Sequence, residues 1–500
     1  MNKLFANNYL LIAITLVLFS AACSAPEEPT ETDSSPPNIL LIFTDQQHVN
    51  AMSAAGNPYL RTPAMDELAS EGVLFTQAYC ASPVCGPARS SIITGRMPHE
   101  TGVEWNGQSI KPGIPNIGQM LRESGYHTVW GGKWHLPESY PQRTKAKNKT
   151  VDGFELLPFW NPNQERWMLG AETDPPLTKA VVDYLGGYDQ SQPLFMAVSY
   201  HNPHDICFYA RKDGWVSPND SLLEIRHYGF EHQLPEVVGR HYDEFTNLPP
   251  LPTNFAVGEN EPTFVQDKRK YHSEYGLETM LANQEFDEAT WQGYLNAYYR
   301  LTEMVDAEIG QLIQALKDNG MWENTLIVFT SDHGDGAAAH QWAAKLSLYE
   351  ESAKIPMIVA YPGRTLTRID STHLVSQIDI VPTMLDYAGV EAETSFTGQS
   401  MKPVIESPSA DWRDLVVTEL ADFKPDPSRK GRMVRTSGYK YNLYSNGEEQ
   451  LYRLSSDPGE MVNLAASTDL RAEIDQHRQL LKRWAVNTED TFALKQIQSF

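Results

Sequence analysis

The sequence predicts an α/β protein: a large layer on a mostly parallel central sheet flanked by helices, then a smaller α+β domain with an antiparallel sheet. Three observations carry this. Continuous apolar runs at 38–43, 195–198 and 325–329 each lead into a polar cluster, as buried strands of a parallel sheet do. An apolar repeat of helical period over 291–317 marks a long amphipathic helix before the third run. After the turn at Gly389 the pattern changes to short segments at 415–418, 432–436, 439–444 and 449–453, read as antiparallel strands, and then a helix over 469–484.

At 500 residues the chain exceeds one compact core, and the change of pattern divides it into a larger domain over 38–395 and a smaller one over 396–500. A formal net charge of -24 argues against a nucleic-acid partner. An anionic substrate would be held by local basic groups, against the field of the whole molecule. The N-terminus reads as a signal peptide over 1–22, with an apolar stretch too short to span a bilayer. Its end, Ser20-Ala21-Ala22-Cys23, resembles a bacterial lipoprotein cleavage site, with Cys23 as the lipidated residue and an acidic Pro/Ser-rich tether over 23–37. The expectation is an exported protein of a Gram-negative bacterium, in the outer membrane or periplasm, touching membrane only through its lipid.

The first strand runs into Asp45 and Gln46, and the third into Asp332 and His333. Two strand ends that are far apart in sequence and both carry acids can meet at one edge of a sheet, where ligands of open α/β sheets gather. These four residues would offer oxygen and imidazole donors to one divalent cation. Between them, Cys85-Gly86-Pro87-Ala88-Arg89 suits a helix beginning at about Pro87, with Cys85 at the positive end of its dipole. Lys133 and His135 alternate with Trp134, so on an extended segment they share a face. The second strand leads to His201 and His204. Two basic stretches, Arg143, Lys145, Lys147 and Lys149, and Lys268-Arg269-Lys270 in an irregular Pro-rich region over 239–286, read as solvated surface or as contacts to a charged substrate.

The thirteen-residue stretch from Pro83 to Gly95, with Cys85, Pro87, Arg89 and the closing Thr94-Gly95, resembles the maturation and active-site signature of type I sulfatases of the alkaline phosphatase superfamily. Gly125 to Leu136 resembles their second signature, departing from it at Gly131, and Leu451-Tyr452 with Asp457-Pro458-Gly459-Glu460 resembles their C-terminal domain. The resemblance implies an alkaline phosphatase-like fold and a hydrolase for sulfate monoesters of a sulfated oligo- or polysaccharide, such as algal ulvan or carrageenan. It implies that a formylglycine-generating or sulfatase-maturating enzyme oxidises Cys85 to formylglycine, whose hydrated aldehyde is the nucleophile. Arg89, Lys133 and His135 then serve residue 85 and the sulfate, His204 the leaving oxygen, and Lys345 is the second sulfate-binding lysine, with His340 a weaker candidate. Arg143 and Lys145 become weak substrate-binding candidates. The family usually binds Ca2+; because Gln46 and His333 replace a carboxylate and an amide of its common ligand set, Mg2+ or Mn2+ also fits. With Cys23 and Cys85 so assigned, Cys80 and Cys207 are left either as a disulfide or as two buried thiols. Two other readings are a phosphonate or phosphate ester hydrolase of the same superfamily and a lipoprotein that binds sulfated glycans without cleaving them.

Overall fold

The computed structural model describes residues 36–136, 151–157, 170–208, 248–274, 287–421 and 429–500. The signal segment, Cys23, the tether, and Arg143, Lys145, Lys147 and Lys149 lie outside the described residues. In chain order the strands are β1 (Asn38–Asp45), β2 (Gly72–Phe75), β3 (Ala78–Tyr79), β4 (His127–Gly132), β5 (Glu155–Leu156), β6 (Leu194–Pro203), β7 (Thr325–Ser331), β8 (Met357–Ala360), β9 (Arg368–Asp370) and β10 (Val375–Ser376). Four more, β11 (Leu415–Ala421), β12 (Lys430–Thr436), β13 (Tyr439–Tyr444) and β14 (Glu449–Arg453), follow. The main helices are α1 (Pro63–Ser70), α2 (Cys85–Thr94), α3 (Gly170–Gly187), α4 (Thr263–Glu274), α5 (Glu288–Asp318), α6 (Ile380–Ala388), α7 (Arg471–Asn487) and α8 (Thr491–Ile497). None of the described helices is long and apolar enough to cross a membrane.

Eight strands form one sheet in the order β5-β4-β6-β1-β7-β8-β2-β9, in which β8 alone pairs antiparallel with both of its neighbours. The alternation of strand side chains explains how both faces are covered. Ile39, Leu41 and Phe43 point into one core with α2 and α6, and Leu40 and Ile42 into another with α1, α3 and α5. A continuous apolar run is therefore what a central strand needs. At Gly131, where the sulfatase-like pattern has a larger residue, a Cβ would stand 2.8 Å from Leu177 of α3, so that helix occupies the space.

The C-terminal strands form a separate antiparallel sheet in the order β11-β12-β13-β14. Here alternation separates the faces: Val416, Leu420 and Met433 join the core of the large layer, while Val417, Val434 and Leu443 pack against Ile474 and Leu481 of α7.

Two local expectations are corrected. Helix α2 begins at Cys85 and not near Pro87: the Ala88 N–H donates to Val84 O (3.0 Å), and the missing N–H of Pro87 falls in the first turn, where no intrahelical partner exists. The segment carrying Lys133 and His135 is not extended. β4 ends at Gly132 (φ 95°), where a Cβ would lie 1.9 Å from Ser199 O, and His135 is left-handed (φ 59°).

His99, in the short helix Pro98–Thr101, joins the large layer to the C-terminal sheet through Glu419 of β11 and the Thr488 carbonyl after α7. Burial opposes its charge, but Glu419 and these hydrogen bonds prevail and raise its pKa to about 9. A folded pKa above the unfolded value of about 6.5 gives stabilisation that is complete below pH 6.5 and is lost as pH rises towards 9, at most about 3 kcal/mol. The melting temperature is expected to fall over that interval. His99→Gln should melt lower at pH 6 and show a flatter profile; an unchanged profile would remove His99 as its source.

Candidate active site

The polar clusters converge because their strands are neighbours. β4, β6, β1 and β7 lie side by side and parallel, with Gly132 in register with Ser199, Asp45 with Pro203, and Thr44 with Ser331. Lys133, His204, Asp45, Asp332 and His333 therefore leave the sheet at one edge, and α2 lays Cys85 and Arg89 across it.

Arg89 is buried and spends its guanidinium on all four strand ends. Nη2 donates to Asp45 Oδ2 (2.8 Å) and Nε to Asp332 Oδ2 (2.9 Å). Nη1 donates to Lys133 O and to Ser199 Oγ, each at 2.7 Å. Lys133 Nζ donates to Asp45 Oδ2 as well. The δ2 oxygens are thus taken by cations, and both δ1 oxygens face His333 Nε2, at 3.9 Å from Asp45 and 3.6 Å from Asp332. His333 Nδ1 lies 2.9 Å from Gly334 O, which fixes the N–H on that side and leaves the Nε2 lone pair for the δ1 oxygens' side.

This donor set fits a divalent cation. Asp45, Cys85, Asp332 and His333 offer one atom each within 4.8 Å of one another, and an ion among them can stand at about 2.0–2.6 Å from oxygen and imidazole donors. Gln46 joins the site differently from the expectation that its amide would be a ligand. Its backbone N–H donates to Asp332 Oδ1 (3.0 Å), while its carboxamide Nε2 donates to Asp335 Oδ2 (2.8 Å) and its oxygen accepts from Cys207 Sγ (3.3 Å). Cys80 and Cys207 are separate, buried, free thiols.

Cys85 Sγ sits among Lys345 Nζ (2.9 Å), His333 Nε2 (3.2 Å) and Asp45 Oδ1 (3.7 Å), and burial holds the pKa of nearby His135 below its usual value. Burial and Asp45 oppose ionisation of the thiol, yet Lys345, Lys133 and His333 draw its pKa well below the ordinary range. Two carboxylates sharing one guanidinium separate in acidity: burial raises both, but Lys133, His204 and Arg89 hold Asp45 low, whereas Asp332, next to Asp45, is pushed up to about 6. For His333 burial is outweighed by Asp332 and Cys85, which raise it. His204 is held well below its usual pKa by burial, then by Lys133 and Lys345.

His340 lies elsewhere. It is fully buried, stacked on Tyr349 at 3.9 Å between ring centroids, and grouped with Glu351 and Glu460. Lys440 Nζ, 2.7 Å from Glu460 Oε1, already supplies the cation of that cluster. His201 pairs with Asp174 and Thr173. Sequence reasoning missed Ser199, which accepts from Arg89, and Asp335, which holds the Gln46 amide. Asp335 ends the same Asp-His-Gly-Asp run as the candidate ligands, a signal that could have found it; a serine inside a strand gives none.

Comparison with known proteins agrees with this geometry. The sulfatase family model matches residues 37–390, and the model of the N-sulphoglucosamine sulphohydrolase C-terminal region matches 338–486. The chain is 28% identical to an N-acetylglucosamine-6-O-sulfatase of Bacteroides thetaiotaomicron, over 94% of this chain and 90% of the relative. It is 30% identical to a Delta 4,5-hexuronate-2-O-sulfatase of the same organism, over 95% and 93% of the two chains. The solved structure of a 2-O GAG sulfatase superposes with a TM-score of 0.73 at 27% identity, covering 92% of this chain and 94% of that one. With the alkaline phosphatase-like sheet and the Cys85 signature in place, the chain belongs to the sulfatase family and is a sulfuric ester hydrolase.

Proposed function

We propose that the protein hydrolyses an O-sulfate ester of a glycan, with residue 85 as nucleophile after oxidation of the Cys85 thiol to formylglycine by a maturation enzyme. The observation that carries this is the crowding of Cys85 Sγ by Lys345, His333 and Asp45 at the start of α2. When present, formylglycine supplies a hydrated aldehyde, and a divalent cation, Ca2+ with Mg2+ or Mn2+ as alternatives, supplies charge opposite the sulfate. Asp45, Asp332 and His333 would hold that cation.

The remaining roles rest on this chain's own groups. A sulfate ester repels an incoming nucleophile and leaves as a poor alkoxide, so the site must neutralise, orient and protonate. Lys133 and Lys345 bring two ammonium groups to residue 85. Arg89 donates four hydrogen bonds to protein groups, so it holds Asp45 and Asp332 and does not grip the substrate. The His135 backbone passes beside Gly86, and His135 is assigned the proton exchange with residue 85. His204 is kept neutral by burial and by the two lysines. An arriving sulfate offsets those charges, so His204 gains basicity when the substrate is bound and can then carry a proton for the leaving oxygen.

The sugar class is proposed from the relatives, which are named for amino-sugar 6-O and hexuronate 2-O sulfates. Sulfate release from 2-O- and 6-O-sulfated glycosaminoglycan disaccharides, ulvan oligosaccharides and carrageenan oligosaccharides, set against matched phosphate esters, tests it. Release from at least one saccharide and a lower rate on phosphate are expected; faster turnover of phosphate would replace this reading by the phosphoesterase one. The tryptic peptide bearing residue 85, from enzyme co-expressed with a maturation enzyme, should be lighter than the unmodified peptide by about 18 Da. Cys85→Ala, and Cys85→Ser produced without maturation, should be inactive, and wild-type turnover by either would sink the formylglycine mechanism. Ca2+ added to chelator-treated protein should raise the melting temperature, and Asp332→Asn should abolish that shift. Equal shifts in both would place the ion elsewhere.

A further inference from the structure

The segment that presents Lys345 is strained. Ala337, Ala338, His340, Gln341, Ala344 and Leu346 all have φ between 46° and 73°, the left-handed region that costs energy for residues with a Cβ. Something outside the segment must hold it in that shape.

Arg269 of α4 is the strongest such contact. It is buried, with 6% exposure, although the basic triplet around it reads in sequence as solvated surface or substrate contact, and neighbouring Lys268 is buried too. Its Nη1 donates to His340 O (2.7 Å) and Gln341 O (3.3 Å), two consecutive carbonyls of the strained segment. Its Nε and Nη2 donate to Glu261 Oε2 (3.1 Å) and Oε1 (2.7 Å), and its Cζ lies 4.7 Å from the Trp342 ring centre. Trp342 Nε1 in turn donates to Lys345 O (2.9 Å), so the ring under the guanidinium is bonded to the residue that reaches Cys85. Glu261 is itself held by the Tyr349 hydroxyl (2.8 Å), and Tyr349 stacks on His340. Asn254 O accepts from the His340 N–H (2.7 Å) and the Tyr294 hydroxyl from the Ala344 N–H (3.1 Å).

We propose that Arg269 is a positioning residue for the hydrolysis. Fixed by Glu261 and lying over Trp342, it ties the His340 and Gln341 carbonyls and thereby sets the Lys345 ammonium against residue 85. A planar guanidinium is needed, because a lysine ammonium cannot serve a carboxylate, two carbonyls and an indole face in one plane. The inference rests on the reading of Lys345 as a sulfate-binding lysine.

A double-mutant cycle on matured enzyme, with sulfate release from 4-nitrophenyl sulfate as the assay, tests it. Arg269→Lys and Arg269→Gln should each lower kcat/KM by about tenfold or more in the wild-type background and have little effect when Lys345 is already alanine. Glu261→Gln, a milder change, should give a smaller loss that also vanishes in the Lys345→Ala background, which keeps the test open if the Arg269 variants unfold. Melting temperatures are measured on every variant. The same fold-loss in both backgrounds would make Arg269 merely structural and overturn the positioning role while leaving Lys345 in place. Wild-type activity in Lys345→Ala alone would overturn the reading of Lys345 and this inference with it.

Discussion

One buried guanidinium ties the site to the fold. Arg89 bonds Asp45 at the end of β1, Asp332 after β7, the Lys133 carbonyl after β4 and the Ser199 hydroxyl on β6. Two carboxylates cannot remain charged in a dry interior without such a partner, and removal of one member of a buried pair costs about 3–5 kcal/mol. The contacts that hold four strand ends together are therefore the same ones that turn the δ1 oxygens towards His333. Stability and site geometry are not separable here.

A parallel sheet makes this arrangement possible. Parallel neighbours finish at the same edge, so four segments from distant parts of the chain deliver their first polar residues to one place. An antiparallel order would have sent alternate clusters to opposite edges. Because Arg89 offsets the two carboxylates, the Lys133 and Lys345 ammonium groups account for how a chain of net charge -24 can receive an anion. The global field disfavours the substrate, and these two ammonium groups, shielded from water by burial, act at much shorter range.

Support for the site extends into chain that looks featureless. The Pro-rich region supplies Asn254 and Glu261, α4 supplies Arg269, and together they brace the left-handed segment before Lys345. The buried group of Glu350, Lys440 and Glu460 does similar work on the other side, joining the residues after that segment to the C-terminal sheet. The small sheet is thus continuous with the packing behind the candidate site.

Much of this was legible from sequence alone. Apolar runs, helical periodicity and the late change to short alternating segments determined the elements, because burial on both faces or on one leaves a period that needs no partner to be read. The same applies to residues that sit directly at strand ends: Asp45, Asp332, His333 and Lys133 stand out by position and type, Cys85 by the motif that opens α2, and the structure brings them within reach of one another. What only tertiary structure decided were the pairings across hundreds of residues. Ser199 and Asp335 acquire meaning through Arg89 and Gln46, Lys268 and Arg269 are drawn inside and not left in solvent, His340 goes to Tyr349 and not to Cys85, and Gln46 approaches Asp332 by its backbone. A charged residue's burial depends on which opposite charge and which carbonyls the fold sets beside it, and local sequence carries no record of that.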